Sequence, residues 1–285
     1  MTAVSAAALL RSADGVPAHE ARSLLAFALG CQPHELALRT PNEAQTARFQ
    51  DLVAARADGV PLQYLTGVAA FRTVEVAVGP GVFIPRPETE LLAGWVIEKI
   101  KEAKTTRNDL GEKRDDIVVV ELCAGSGAIS LAIAVEAPGC VQYAVELAPD
   151  ALAWARKNLA QTDVNLVHCD LADALPELDG RADVVVANPP YVPEADAHLV
   201  AADVRAHEPP QALFSGPDGL DAIRATVRAA ARLLRPGGLV AIEHDESQDV
   251  AAILEAFGDF EDAAEHDDLT GRARFATARR RLLAG

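Results

Sequence analysis

The sequence predicts an α/β fold with a mostly parallel sheet, preceded by a small helical domain and a β-hairpin linker. Between residues 117 and 243, short β-branched runs alternate with helix-length segments, the pattern of parallel strands joined by crossover helices. The first run leads into a loop with Gly125 and Gly127, and the first 66 residues show only helical patterns. With 285 residues, the chain is long enough for one large domain and a smaller partner.

The composition predicts a globular protein of a reducing compartment. Half of the residues are hydrophobic and 24% are charged, as in typical globular domains. No apolar run approaches the ~20 residues that span a bilayer, and the N-terminus lacks the pattern of a secretory signal. Four cysteines are scattered without metal-ligand spacing, so we expect free thiols, no metal site and a cytoplasmic protein.

The charge balance disfavours a nucleic-acid substrate. The formal net charge is −16, and the excess of acids lies almost entirely after residue 80. Nucleic-acid affinity depends on Lys and Arg side chains that neutralise phosphates, whereas an acidic surface repels them. We therefore expect a neutral or basic substrate, although an acidic surface can also serve solubility alone.

Residues 1–70 are predicted to form the helical domain. Apolar residues at helical spacing precede Gly30, a residue typical of helix ends. The segment Thr40-Pro41-Asn42-Glu43 predicts a capping box in which Thr40 caps the next helix. No pattern in this domain carries chemistry, so we expect either a substrate-docking unit or a structural cap.

Residues 71–84 are predicted to form the β-hairpin linker between the two domains. Valines alternate with polar or small residues over Val74–Val78, Gly79–Gly81 supplies a turn, and Val82–Ile84 is the expected returning strand. The larger α/β domain then covers residues 85–285.

The larger domain is expected to contain five parallel strands with helices between them. The strands are expected at residues 117–122, 141–146, 165–169, 182–187 and 238–243. The most regular helices are expected at residues 149–160 and 219–234. The segment Gly271–Arg280 is expected to add an antiparallel strand at the late edge of the sheet.

The segment Ile84–Glu90 introduces an amphipathic helix. Proline and acidic residues are common in the first turn of a helix, so a plain helix start explains this segment. The alternative is that Arg86 or Glu88 lines the mouth of an active site.

The tetrapeptide Asn188-Pro189-Pro190-Tyr191 follows the buried run at 182–187, where open α/β sheets bind their ligands. Two prolines fix the turn, which leaves the Asn188 side-chain oxygen and the Pro189 carbonyl as rigid acceptors. Such a pair suits an amide or an exocyclic amine, whose NH2 group has two donors, and Tyr191 could pack on the planar group. Asn and Pro are also ordinary turn residues, so a plain turn is the alternative.

Three carboxylates and the glycine loop predict a nucleotide cofactor. The loop Cys123–Gly127 lets a ligand approach the backbone, and Glu146 after the second strand can accept from two ribose hydroxyls. Asp170 could accept from an adenine amino group or could simply cap a helix. Glu121 lies close to where the cationic tail of a ligand would sit. Because Ser130 fits a dinucleotide fingerprint poorly, S-adenosylmethionine fits this pattern better than NAD.

The sequence resembles the peptide chain release factor glutamine methyltransferases, the HemK/PrmC family, nearly from end to end. The resemblance is carried by Pro61–Gly67, Ile84–Glu90, Glu121–Gly127, Asn188–Tyr191, Asp203–Arg205, Glu208-Pro209, Ala212-Leu213 and Gly216–Leu220. Asn-Pro-Pro-Tyr alone is shared with adenine and other amino methyltransferases, whereas the block at Ile84–Glu90 and the segment after Asn188 are more specific.

The resemblance implies a Rossmann-like class I methyltransferase that methylates the Gln of the Gly-Gly-Gln motif in class I release factors. It implies catalytic roles for Asn188, Pro189 and Tyr191. It also implies that these three residues, together with Pro190 and Arg86, contact the substrate. It implies S-adenosylmethionine binding by Glu121, Cys123, Ala124, Gly125, Ser126, Gly127, Glu146, Asp170, Leu171 and Asn188. Two departures are Cys123 in place of the usual loop glycine and Glu146 in place of the commoner Asp.

Other functions remain open from the residues alone. An adenine-N6 or other nucleic-acid methyltransferase would use the same acceptors on an exocyclic amine after base flipping. A non-catalytic binding protein could retain the cofactor fold, and an NAD-linked oxidoreductase is disfavoured by Ser130 and the Asn-Pro-Pro-Tyr turn.

Overall fold

The structure, a computed structural model, describes residues 5–109 and 117–282, so the outer limits of the predicted domains lie outside it. The first domain consists of four short α-helices with a buried apolar core that includes Leu24, Leu25 and Phe49. Its helices are α1 (Ala6–Arg11), α2 (Ala18–Leu29), α3 (Glu43–Ala57) and α4 (Leu62–Thr66). Within the described residues, no helix combines the length and apolar character needed to cross a bilayer.

The helix ends follow from local chemistry. Helix α2 stops at Gly30, whose φ of 66° suits a residue without a Cβ atom. The capping box of α3 is formed by Asn42 and Gln45, because Asn42 Oδ1 accepts from the Gln45 amide at 2.8 Å and Gln45 Oε1 accepts from the Asn42 amide at 3.0 Å. The prediction of Thr40 as the cap was therefore two residues early.

A β-hairpin follows the helical domain, but the predicted strand pairing was wrong. Strands β1 (Val68–Phe71) and β2 (Val74–Ala77) pair with each other, and Val82–Ile84 forms no strand. The segment Gly79–Gly81 packs against α7 (Pro149–Asn158) instead of turning a hairpin. A Cβ atom at Gly79 would lie 2.5 Å from the Trp154 ring, so this close approach requires glycine.

The larger domain has a seven-stranded sheet in the order β5-β4-β3-β6-β7-β9-β8. Strands β3 to β7 are parallel, and β9 is antiparallel to both of its neighbours. The strands are β3 (Ile117–Leu122), β4 (Cys140–Glu146), β5 (Asn165–His168), β6 (Ala182–Ala187), β7 (Leu234–Glu243), β8 (Phe260–Asp267) and β9 (Ala273–Arg280). The predicted antiparallel strand is confirmed, but it lies one position inside the edge, which β8 forms.

Helices cover both faces of this sheet, as in doubly wound α/β folds. One face packs against α5 and α6, and the opposite face packs against α9 and α10. The helices of this domain are α5 (Pro87–Asp109), α6 (Ala128–Glu136), α7, α8 (Ala202–His207), α9 (Asp221–Leu233) and α10 (Val250–Ala256). Because both faces are covered, the central strands are apolar on each side, which explains their continuous β-branched runs.

The strand order predicts where this sheet binds a ligand. The chain runs outward from β3 through β4 to β5 and then returns to β6 on the other side of β3. Open α/β sheets bind ligands outside the carboxyl ends of the strands where the order reverses in this way. The loops after β3, β4, β5 and β6 therefore meet at one edge.

The turn after β6 is supported by the segments that precede α9 and α10. The Tyr191 carbonyl accepts from Gln248 Nε2 at 3.0 Å, and the Val192 carbonyl accepts from the Ser215 amide at 3.0 Å. Gly219 lies beneath this turn with a φ of +74°, and a Cβ atom there would lie 2.2 Å from the Tyr191 carbonyl oxygen. Glycine is therefore required both for its φ and for the close contact.

We predict that Gly219→Ala lowers the free energy of unfolding by roughly 2–4 kcal/mol, because the new methyl group displaces the Tyr191 backbone as well as straining φ. Gly180→Ala is the matched control, since Gly180 has a φ of +68° but nothing within 4 Å of its added Cβ atom. Denaturant unfolding of both variants measures the difference. Equal losses would show that the contact with Tyr191 contributes nothing.

Candidate active site

A cavity of about 440 Å³ lies at the carboxyl edge of β3, β4, β5 and β6. Its wall also includes Phe83, Pro85 and Thr89 from the segment around the start of α5. The predicted site residues that line it are Glu121, Cys123, Ala124, Gly125, Ser126, Glu146, Asp170, Leu171, Asn188, Pro190 and Tyr191. The structure therefore brings together most of the residues that the sequence assigned to cofactor and substrate.

The glycine loop begins with a strained cysteine. Cys123 has a φ of 56°, a left-handed conformation that costs a residue with a Cβ atom about 1 kcal/mol. Gly125 and Gly127 also have positive φ values. Gly127 is the N-cap of α6 and is not among the described residues that line the cavity, so its predicted contact with the cofactor stays a prediction. Cys123 keeps the backbone path of a glycine loop and is one of the residues that line the cavity.

Glu121 is a buried carboxylate at the end of β3. Its Oε2 atom accepts from the Ser130 amide at 2.9 Å and from the Ser130 hydroxyl. Burial raises the pKa of Glu121 to about 8, although the two hydrogen bonds from Ser130 lower it. A carboxyl group with this pKa is poised to ionise when a cationic group binds beside it. Ser130, which weakened the dinucleotide fingerprint, thus holds Glu121 in place.

Glu146 joins the end of β4 to the glycine loop. Its Oε2 accepts from the Gly125 amide and its Oε1 accepts from the Ala148 amide, both at 2.7 Å. Burial raises the pKa of Glu146, and these two backbone donors lower it. A carboxylate offers about four acceptor positions, so each oxygen retains capacity for a hydroxyl group from the cavity side.

Asp170 and Leu171 lie after β5, and both line the cavity. Asp170 Oδ1 accepts from the Ala172 amide at 2.9 Å, which makes the residue a turn former. The predicted contact with an adenine amino group remains a prediction. In the described part of the chain, no three His, Cys, Asp or Glu side chains are grouped to hold a metal ion.

Asn188 lines the cavity, and one of its two polar side-chain atoms is already bound. Asn188 Nδ2 donates to Thr89 Oγ1 at 3.1 Å, and both residues line the cavity. This contact leaves Asn188 Oδ1 as an acceptor for a ligand. Pro189 is buried next to it, outside the described cavity wall, so the predicted role of its carbonyl stays a prediction.

Tyr191 connects the cavity to a buried acid on β7. Tyr191 lines the cavity, and its hydroxyl donates to Glu243 Oε1 at 3.5 Å. Burial raises the pKa of Tyr191 above its usual range, and the negative charge of Glu243 adds to this effect. The tyrosine therefore stays neutral at physiological pH and acts as an apolar wall with a fixed hydroxyl.

Arg86 does not belong to the described wall of this cavity. It forms an ion pair with Glu208, whose side chain is 1% exposed and also accepts from the Ile84 amide at 3.2 Å. The Arg86 guanidinium lies over the Phe83 ring, 4.6 Å from its centroid, and Phe83 lines the cavity. Arg86 thus holds the segment before α5 in place, and its predicted contact with the substrate is untested.

Comparison with known proteins decides the family. Residues 4–67 match the PrmC N-terminal domain, and residues 108–218 match the methyltransferase small domain. The chain is 45% identical over 282 residues to the release factor glutamine methyltransferase of Streptomyces coelicolor, covering 97% of each chain. It is also 45% identical to that of Mycolicibacterium smegmatis, covering 98% of this chain and 97% of the relative. The chain belongs to the release factor glutamine methyltransferase family.

Membership of this family confirms the resemblance stated from the motifs. The methyltransferase fold and S-adenosylmethionine as the methyl donor are confirmed with it. Sequence reasoning missed Thr89, Ser130, Phe83 and Glu243, which contact the predicted residues. Thr89 lies within the Ile84–Glu90 block and Phe83 directly precedes it. The block therefore indicated that this segment is functional, but it did not indicate which residues these two side chains contact.

We predict that Glu121→Gln weakens S-adenosylmethionine binding roughly 10- to 100-fold at pH 8.5, because a hydrogen bond or ion pair to a charged group is lost. Isothermal titration calorimetry with S-adenosylmethionine measures this change. An unchanged dissociation constant would remove Glu121 from the cofactor site.

The same residue predicts a pH dependence of stability. The folded protein holds the Glu121 proton up to a pKa of about 8, whereas the unfolded chain releases it near 4.5. The folded state therefore binds more protons in this window, and wild-type stability falls relative to Glu121→Gln as pH rises from 5 to 8. Thermal unfolding across this range tests the sign. Glu255→Gln, an exposed site on α10, is the control and should track the wild type.

We predict that Arg86→Met destabilises the protein by roughly 3 kcal/mol, the low end for buried ion pairs because Arg86 is partly exposed. The loss arises because Glu208 is left buried without its cation. The double variant Arg86→Met, Glu208→Gln should recover part of this loss. If Arg86→Met instead raises the KM for the protein substrate with unchanged stability, the residue serves substrate binding rather than the fold.

Proposed function

We propose that this protein transfers the methyl group of S-adenosylmethionine to the side-chain amide nitrogen of the Gln in the Gly-Gly-Gln motif of class I release factors. The relatives that share 45% of its residues carry the name release factor glutamine methyltransferase. The observation that carries the proposal is the Asn188 side chain, which lines the cavity and has its Nδ2 bound to Thr89. Its oxygen is thereby available to the N–H group of an amide.

The chain's residues are suited to holding an amide nitrogen still. Asn188 Oδ1 and the Pro189 carbonyl would each accept one N–H, which orients the nitrogen toward the methyl donor. As the methyl group arrives, positive charge develops on nitrogen, and two preorganised oxygens stabilise it. Positioning the two reactants in this way could lower the barrier by up to ~7–11 kcal/mol. The nitrogen gains the methyl group as the methyl–sulfur bond breaks, which leaves a neutral thioether, and one amide N–H proton then passes to solvent. No ionised base is needed before attack.

The cofactor end of the cavity has the matching chemistry. Bound S-adenosylmethionine supplies an activated methyl group on a sulfonium ion. Glu121 would pair with the cationic end of the cofactor, and Glu146 would accept from its ribose hydroxyls. Asp170 and Leu171 would lie along the adenine, since they follow the third strand of the cavity edge.

The helical domain, residues 1–70, would help to grip the release factor, and residues 71–84 would connect it to the methyltransferase domain. The match of residues 4–67 to the PrmC N-terminal domain supports a separate first domain. The protein would act in the cytoplasm, and four cysteines that form no disulfide are consistent with a reducing compartment.

The proposal is tested by intact-mass analysis of a class I release factor after incubation with the enzyme and S-adenosylmethionine. The expected result is a gain of one methyl group, mapped by fragmentation to the Gln of Gly-Gly-Gln. A parallel reaction offers bulk RNA and DNA with a radiolabelled donor, to test the adenine-N6 alternative. Label in nucleic acid and none in the release factor would overturn the proposal.

We predict that Asn188→Ala lowers kcat by roughly 100- to 1,000-fold, the loss typical of one charge-stabilising group in a preorganised site. The dissociation constant of S-adenosylmethionine should stay within about threefold, because the residue acts mainly on the amide nitrogen. Asn165→Ala, at an exposed site on β5, is the control. Equal losses of turnover and cofactor binding would assign Asn188 to the cofactor instead.

A further inference from the structure

The amide group of Asn188 can be placed in two ways that have nearly the same shape. One orientation presents Oδ1 to the cavity, and the other presents the NH2 group. Only the first can accept from a substrate amide, whereas the second sets two donor groups against each other. The protein therefore needs a device that selects the orientation.

Thr89 is the immediate partner, but it cannot select the orientation alone. Its Oγ1 lies 3.1 Å from Asn188 Nδ2, and the residue is 4% exposed. A hydroxyl group accepts and donates equally well, so Thr89 could receive a proton from Nδ2 or give one to Oδ1. The choice depends on where the Thr89 proton goes.

Glu243 is the candidate acceptor for that proton. It ends β7, is 1% exposed, and its Oε1 accepts from the Tyr191 hydroxyl. Its Oε2 is buried and has no hydrogen-bond partner among the described residues, so it is open to the Thr89 hydroxyl. Thr89 lies close enough to lower the pKa of Glu243 by hydrogen bonding.

The charges around Glu243 come from two elements, β9 and α5. Burial raises its pKa to about 7, Arg274 on β9 lowers it, and Glu88 on α5 raises it. The Arg274 guanidinium also faces Tyr191 and Asp268. The arginine favours the ionised carboxylate, and an ionised carboxylate accepts hydrogen bonds but donates none.

We propose that Thr89 and Glu243 are positioning residues that fix the orientation of the Asn188 amide. Glu243 accepts the Thr89 hydroxyl proton, so Thr89 can only accept from Asn188 Nδ2, and Oδ1 is directed at the substrate. This inference rests on the proposed function of Asn188 and names the residues on which that function depends. Neither residue needs to touch the reacting atoms.

The test compares three variants at buried threonines. Thr89→Val keeps the shape but removes the hydroxyl, so kcat for the release factor should fall roughly 10- to 100-fold. Thr89→Ser restores the hydroxyl and should recover turnover to within about threefold. Thr226→Val is the matched control, because Thr226 is fully buried on α9 and its Oγ1 has no partner among the described residues.

A second series addresses Glu243. In Glu243→Gln the side-chain amide can donate to Thr89, which frees the hydroxyl to turn toward Asn188. We expect kcat to fall as in Thr89→Val, with the dissociation constant of S-adenosylmethionine unchanged in both variants. The double variant Thr89→Val, Glu243→Gln should be no slower than the slower single variant, since both act through one amide.

The outcomes distinguish a failure of the proposed function from a failure of the positioning role of Thr89 and Glu243. If the wild type methylates no release factor, the proposed function fails before any variant is compared. If the wild type is active, full turnover of Thr89→Val overturns the positioning role. So does an equal loss in Thr226→Val, or a loss in Thr89→Val that Thr89→Ser does not recover. Losses of cofactor affinity that match the losses of kcat would overturn it as well.

Discussion

The hydrogen bond between Asn188 and Thr89 joins two parts of the chain on which the site depends. Asn188 ends β6 at the reversal of the strand order, and Thr89 lies in the first turn of α5, after the hairpin and the helical domain. The ion pair between Arg86 and Glu208 and the close contact at Gly219 hold the two sides of this bond. These contacts therefore fix the position of the Asn188 side-chain oxygen before any ligand binds.

Three buried carboxylates lie near the Asn188 site, and burial raises the pKa of each. These are Glu121, Glu146 and Glu243. Buried acids lower the stability of the protein at the pH where they ionise, so their presence is explained by function more readily than by folding. Glu121 and Glu146 line the cavity, where a cationic cofactor can stabilise their charge. Glu243 is not among the described residues that line it, and it accepts from the Tyr191 hydroxyl instead.

The parallel strands could be predicted because each is a continuous β-branched run, a pattern that is visible within a few neighbouring residues. Such runs are typical of strands that are buried on both faces. The sequence missed β8, because Phe260–Asp267 contains no β-branched residue and becomes a strand only by pairing with β9. It misplaced the hairpin, because Gly79–Gly81 looks like a turn until Trp154 packs against it. Thr89 could not be assigned, since its partner lies 99 residues away in sequence.

The most direct test is a crystal structure of the enzyme with S-adenosylhomocysteine and a Gly-Gly-Gln peptide. We expect the Gln amide nitrogen within hydrogen-bond distance of Asn188 Oδ1 and the Pro189 carbonyl, with Asn188 Nδ2 still on Thr89. A Gln side chain bound away from these oxygens, or an Asn188 amide turned with its NH2 group toward the peptide, would contradict the account.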